Sequence, residues 1–164
     1  MKILGIDPGI GRTGWGVIEV QSAKCKVQSF GCIETSMKLP LEKRLQEIHA
    51  EISRIINEES PNALAIEELF FQNNAKTAMV VGQARGVVLL AAAQHGLSVG
   101  EYTPLEVKVA VAGYGKAEKA QVGQMVKTLL KLQAIPKPDD TADALAIAIT
   151  HAFAYKGKAL SVKR

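Results

Sequence analysis

The chain holds only two cysteines in 164 residues, too few for a disulfide framework, and Cys25 and Cys32 stand at no spacing that suits a metal site. No secretory leader is read at the start, so reduced thiols and a cytoplasmic setting are expected. An unbroken apolar run of membrane-spanning length is also missing. The nearest candidate, residues 78–93, carries Gln83 and Arg85 at its middle beside Gly82 and Gly86, which argues against a lipid-facing helix and against any membrane association. Internal repeats, low-complexity segments and composition breaks are absent too. With 48% apolar residues the chain can build a core, which argues against wholesale disorder. The expectation is one domain, residues 1–155, and a short basic tail, 156–164, that frays.

Charge of one sign is scarce at first. Residues 1–100 contain ten Lys or Arg and ten Asp or Glu. The net charge of +4 therefore lies in residues 101–164, where ten basic side chains outnumber six acidic ones. Three of those six acids, Asp139, Asp140 and Asp143, form one cluster. From Pro104 to Lys137, six lysines face only Glu106 and Glu118. An acidic spot beside a basic stretch suits a site that holds cations next to phosphate. A solvated lysine-rich helix face accounts for the lysines equally well.

Residues 2–6 form an apolar run closed by Asp7-Pro8-Gly9, a strand ending at a turn. Residues 15–20 and 26–34 read as further strands, giving an antiparallel meander. Over residues 41–58, Leu41, Leu45, Ile48, Ile52, Ile55 and Ile56 recur at helical spacing. Pro61 ends that helix, and 63–67 is a short strand. A helix over 74–94 follows, apolar nearly all round, so it needs cover on more than one side. Residues 98–102 make the last strand. Three helices are predicted after it: 104–111, 116 or 117 to 132, and 140–153. This order predicts an α/β fold, a mixed five-stranded sheet with helices on both faces.

Gly9-Ile10-Gly11-Arg12-Thr13-Gly14 matches the dinucleotide fingerprint, but that motif must open a helix, and strand-like residues follow here. Asp7 at a strand end is by itself an ordinary turn aspartate. Glu67 also finishes an apolar strand, where an unpaired carboxylate is expensive. Its neighbour Glu68 points the other way, and periodicity cannot choose between them. Asp140 and Asp143 stand three residues apart at a helix start, on one face, where Asp140 can serve as the N-cap and Asp143 as a first-turn acid, and either role can coexist with metal binding. Together these acids converge only if something neutralises them. Two Mg²⁺ ions balance four carboxylates, and hard oxygen ligands suit Mg²⁺ or Mn²⁺ over zinc. Such a pair activates water for phosphodiester hydrolysis.

Several segments carry a more specific signal. Residues 3–9 (Ile-Leu-Gly-Ile-Asp-Pro-Gly), 13–16 (Thr-Gly-Trp-Gly), 65–70 (Ala-Ile-Glu-Glu-Leu-Phe), 82–86 (Gly-Gln-Ala-Arg-Gly), 113–122 and 140–146 resemble, in order and spacing, the RuvC family of Holliday-junction resolvases, which have the ribonuclease-H-like fold. The resemblance runs from residue 1 to about 151. It implies a homodimeric, Mg²⁺-dependent endonuclease of DNA recombination and repair that nicks two opposed strands of a four-way junction. It also implies 5′-phosphate and 3′-hydroxyl ends, and work alongside the RuvA–RuvB branch-migration complex. The family's metal ligands and catalytic acids fall on Asp7, Glu67, Asp140 and Asp143, which selects Glu67 over Glu68. Some members carry histidine at the position of Asp140; the aspartate here preserves the charge balance.

Phe70 resembles the family's base-stacking aromatic, and Phe71 beside it is a second candidate; without the resemblance both read as core. Lys108 and Lys119 resemble the basic residues beside the active site, and Lys116 and Arg85 are further candidates for the DNA backbone. His151 reads as an ordinary helix-end histidine. Three other readings stand beside this one: another ribonuclease-H-like nuclease, an actin-like phosphotransferase, and a non-catalytic junction binder. The phosphotransferase would need two such domains. The binder would gain nothing from acids that repel phosphate.

Overall fold

A computed structural model of the protein describes residues 1–21, 24–69 and 75–161. The first three strands are β1 (Lys2–Asp7), β2 (Arg12–Gln21) and β3 (Lys24–Glu34). They pair antiparallel, as the meander reading requires. The glycine-rich segment thus feeds β2 and opens no helix, which removes the dinucleotide reading. Helix α1 (Leu41–Glu59) buries Ile48, Ile52, Ile55 and Ile56, each burial stabilising by about 1.5–3 kcal/mol. Its chain leaves through Ser60 in the left-handed conformation. Strand β4 (Ala63–Glu67) then lies parallel to β1, and β5 (Ser98–Tyr102) parallel to β4. The sheet order is β3-β2-β1-β4-β5.

Helix α2 (Ala75–Gln94) joins β4 to β5, and α3 (Pro104–Ala112), α4 (Lys119–Leu130) and α5 (Asp139–Ser161) complete the chain. Two cores result. Leu4, Ile6, Val17, Leu64 and Ile66 pack on α1 and α2. Ile3, Ile18 and Ala65 pack on α3, α4 and α5 from the other face. Alternate residues of β1 and β4 therefore serve opposite layers, the period-two rule for a sheet covered on both sides.

Several boundaries differ from the sequence reading. Helix α4 begins at Lys119, where the Gln121 side chain reaches back to accept from the Glu118 N–H at 2.8 Å. Helix α5 starts at Asp139, so Asp140 is a first-turn residue and not the cap. It also runs to Ser161, beyond Phe153, where the sequence reading ends it. The helix buried on nearly every side is α5, whose Ala144 through Ile149 are all buried. Helix α2 covers the sheet with Ala84, Val88, Ala91 and Ala92 and leaves Met79 and Leu90 exposed. Its stretch Thr77–Gln94 is long and apolar enough to cross a membrane by length and composition, yet one face packs on the sheet and its Arg85 is ion-paired.

Candidate active site

The acids are brought to one end of the sheet by how two strands and one helix are stacked. In the parallel pairing of β1 with β4, Ile6 stands beside Ile66. The next residues, Asp7 and Glu67, therefore end adjacent strands, which lie about 4.8 Å apart in any sheet. Asp7 shares its face with Ile3 and Gly5, and Glu67 shares its face with Ala65, the side occupied by α5. Glu68 has the opposite parity and is exposed, its N–H donating to the Tyr102 carbonyl at 2.8 Å. The register thus separates the two glutamates that periodicity alone left equivalent.

The approach of α5 is set by glycines. A Cβ at Gly5 would stand 2.1 Å from the Ala144 carbonyl oxygen, and one at Gly14 would stand 2.0 Å from that of Asp140. Gly14 is also the antiparallel partner of Asp7. The first turn of α5 is therefore laid against the end of β1, and Asp140 and Asp143 come with it. Two threonines hold this corner: the buried Thr13 hydroxyl donates to the Gly9 carbonyl at 2.7 Å, and Thr141 donates to the Gly31 carbonyl at 3.2 Å.

The electrostatics record the crowding. Burial first, then repulsion by Glu67, Asp143 and Asp140, pushes the Asp7 carboxyl from 3.8 up to about 8, against an opposing pull from Lys119. Burial and Asp143 raise Glu67. Burial also raises Asp143, although Lys119 opposes it, its Nζ lying 2.6 Å from Asp143 Oδ2. For Lys119 itself, burial is the largest influence and works against the charge, but the hydrogen bond to Asp143 and the charges of Asp143, Asp139 and Asp7 together outweigh it and leave the ammonium raised. Among the described residues, no three His, Cys, Asp or Glu side chains are gathered closely enough to form a ready metal cluster. Instead, Asp7 shifts toward its protonated form and Lys119 supplies the positive charge at Asp143. Four hard-oxygen acids that repel one another at one pole suit divalent cations such as Mg²⁺.

The basic candidates divide. Lys108 and Lys119 line a cleft of about 260 Å³ together with Glu67 and Asp143. Lys108 and Glu67 also border a neighbouring cleft of about 650 Å³ lined by Pro8, Leu69, Val81 and Leu105. Lys116 is exposed and lines neither cleft. Arg85 is largely enclosed, its Nε donating to the Glu67 carbonyl at 3.1 Å while its Nη2 pairs with Glu101. Phe70 and Phe71 lie outside the described residues. His151 lies within α5 and, through Nδ1, shares a 2.9 Å hydrogen bond with the Tyr102 hydroxyl. Sequence reading missed the two threonines and the Arg85–Glu67 contact, since each joins residues remote in sequence and follows no local pattern.

A mixed sheet in this order, with acids at the ends of its adjacent parallel strands and beside the first turn of the last helix, defines a nuclease of the ribonuclease-H-like class. The family model described as "Crossover junction endodeoxyribonuclease RuvC" matches residues 3–151. The chain belongs to the RuvC family. It is 58% identical over 152 residues to the protein of that name from Desulfitobacterium hafniense, covering 93% of this chain and 92% of the relative. To the protein of that name from Alkaliphilus metalliredigens it is 56% identical over 152 residues, 93% of each. The structure of Thermus thermophilus RuvC in complex with Holliday junction substrate superposes with a TM-score of 0.92 at 42% identity, over 96% of each chain.

Proposed function

We propose that the protein resolves four-way DNA junctions by paired symmetric nicks, leaving 5′-phosphate and 3′-hydroxyl ends, in recombination and repair in the cytoplasm. The observation that carries this reading is the convergence of Asp7, Glu67, Asp140 and Asp143 at one pole, flanked by Lys108 and Lys119, in a chain of this family. Those four carboxylates would hold two Mg²⁺ ions, with Mn²⁺ as a substitute; such a pair activates the attacking water and stabilises the leaving oxygen.

The rest of the work falls to the protein's own side chains. Asp7 and Glu67 are fixed by the sheet, so the acids need little reorganisation to act together. Lys119 neutralises Asp143 at rest and is placed to turn to the scissile phosphate. Lys108, on the same cleft, steadies the phosphate from the other helix, and Lys116 meets the backbone further out. Such contacts position DNA without reading its sequence. Phe70 and Phe71 are proposed to stack on unpaired bases, each stack contributing roughly 1–3 kcal/mol. The outward face of α2, with exposed Met79 and Leu90, is proposed as the homodimer seam. A two-fold dimer would match the approximate two-fold symmetry of a junction. The RuvA–RuvB complex is the proposed branch-migration partner.

The test is strand cleavage of a synthetic four-way junction beside linear duplex and RNA–DNA hybrid of matching sequence, with Mg²⁺ and with chelator. Symmetric nicks confined to the junction, absent in chelator and absent for Asp7→Asn although it still binds the junction, are expected. Cutting of duplex or hybrid at equal rate would move the protein to another branch of the fold, and near-normal cleavage by D7N would refute the site.

A further inference from the structure

We infer that Arg85 is a positioning residue for Glu67 and not a contact to the DNA backbone. The inference rests on Glu67 acting as a metal ligand. The peptide that follows Glu67 carries two polar groups, the Glu67 carbonyl and the Glu68 N–H, and both are tied. Arg85 Nε donates to the carbonyl at 3.1 Å, and the N–H donates to the Tyr102 carbonyl at 2.8 Å. This one peptide plane is thus held by α2 from one direction and by β5 from the other.

A guanidinium suits the task because its planar fork donates in two directions at once. The second direction is used: Nη2 pairs with the Glu101 carboxylate on β5, and the Arg85 side chain is only 16% exposed. Glu101 takes up the positive charge of Arg85, which leaves the Glu67 carboxylate free for a cation. Helix α2 packs on the layer of Leu4, Ile6, Leu64 and Ile66, away from α5 and its acids. Arg85 therefore braces the end of β4 from the far side of the sheet. An enclosed, paired guanidinium behind the acids is poorly placed to meet a phosphate in front of them.

The experiment compares Arg85→Gln, Arg85→Lys and Glu101→Gln with the wild type. Three readouts are taken: junction binding in chelator with its salt dependence, Mn²⁺ affinity by electron paramagnetic resonance, and single-turnover cleavage. Losing a partner that orients a metal ligand lowers affinity or rate by about 10–100-fold. R85Q is expected to show that loss in both Mn²⁺ affinity and cleavage, with junction binding and its salt slope unchanged. R85K should recover part of the loss, E101Q should show a smaller one, and R85Q/E101Q should be no worse than R85Q. If R85Q does not fold, R85K and E101Q carry the same comparison. Weakened junction binding with a flatter salt slope would make Arg85 a phosphate contact and overturn the inference. Wild-type Mn²⁺ affinity and rate in all variants would overturn it as well. Active D7N would instead remove the site reading beneath it, so the two failures are distinct.

Discussion

Replacing Asp7 by asparagine is expected to stabilise the metal-free protein while abolishing cleavage. The folded carboxyl is raised from 3.8 to about 8, by burial and then by the repulsion of Glu67, Asp143 and Asp140. In the unfolded chain it ionises near 3.8. Between those values the folded state keeps a proton that the unfolded state has lost, so stability falls as pH rises, by about 1.4 kcal/mol per unit. That stability is fully present below about pH 4 and has been lost by pH 8. At pH 7 the ceiling is roughly 4 kcal/mol. Solvent reaching the site and proton sharing among coupled acids bring the expected gain of D7N to on the order of 1–3 kcal/mol. For a chain of this size each kcal/mol moves Tm by about 2–4 °C.

The assay is thermal or urea unfolding in chelator from pH 4 to 8.5. The two proteins should coincide at the acid end and separate progressively toward pH 8, D7N being the more stable. Added Mg²⁺ should then raise the wild type and leave D7N nearly still, because a ligand stabilises only the fold that binds it. A D7N protein no more stable than wild type at pH 8, or a gap that narrows as pH rises, would refute the reasoning.

Two further perturbations bear on the same corner. Gly14→Ala places a methyl 2.0 Å from the Asp140 carbonyl oxygen; overpacking against backbone destabilises by about 1–3 kcal/mol, so Tm and Mn²⁺ affinity should fall together, and an unchanged affinity would show that α5 need not sit this close. Lys119→Ala removes the cation that holds Asp7, Glu67 and Asp143 down. Their ionisation, and with it the pH at which Mn²⁺ binds, should move to higher pH. The salt slope of junction binding should flatten by up to about one unit, and a profile that stays in place would separate Lys119 from the acids.

How far the sequence reached depended on range. Isoleucines at helical spacing announce α1, and the residues after Gly14 read as a strand, which by itself disarms the glycine motif. The mixed sheet with helices on both faces followed from element order. The parallel registers did not, because they depend on which strands meet after long crossovers. That is why Glu67 and Glu68 looked alike: parity has meaning only relative to Asp7 on the neighbouring strand. Asp140 reads as a possible cap in sequence because a helix start is blurred by a residue or two. Arg85 looked like a surface cation, since nothing local in its helix foretells Glu101 or the Glu67 carbonyl.

The glycines under α5 also bear on how such a protein is interrogated. Gly5 and Gly14 leave the backbone of that helix to rest against bare main chain. The placement of the acids depends there on atoms that are missing. A survey that trims side chains one by one passes over such positions, for there is nothing to trim. Adding a single carbon at successive backbone sites would chart them, and the map would outline the contact between helix and sheet more sharply than any list of deletions.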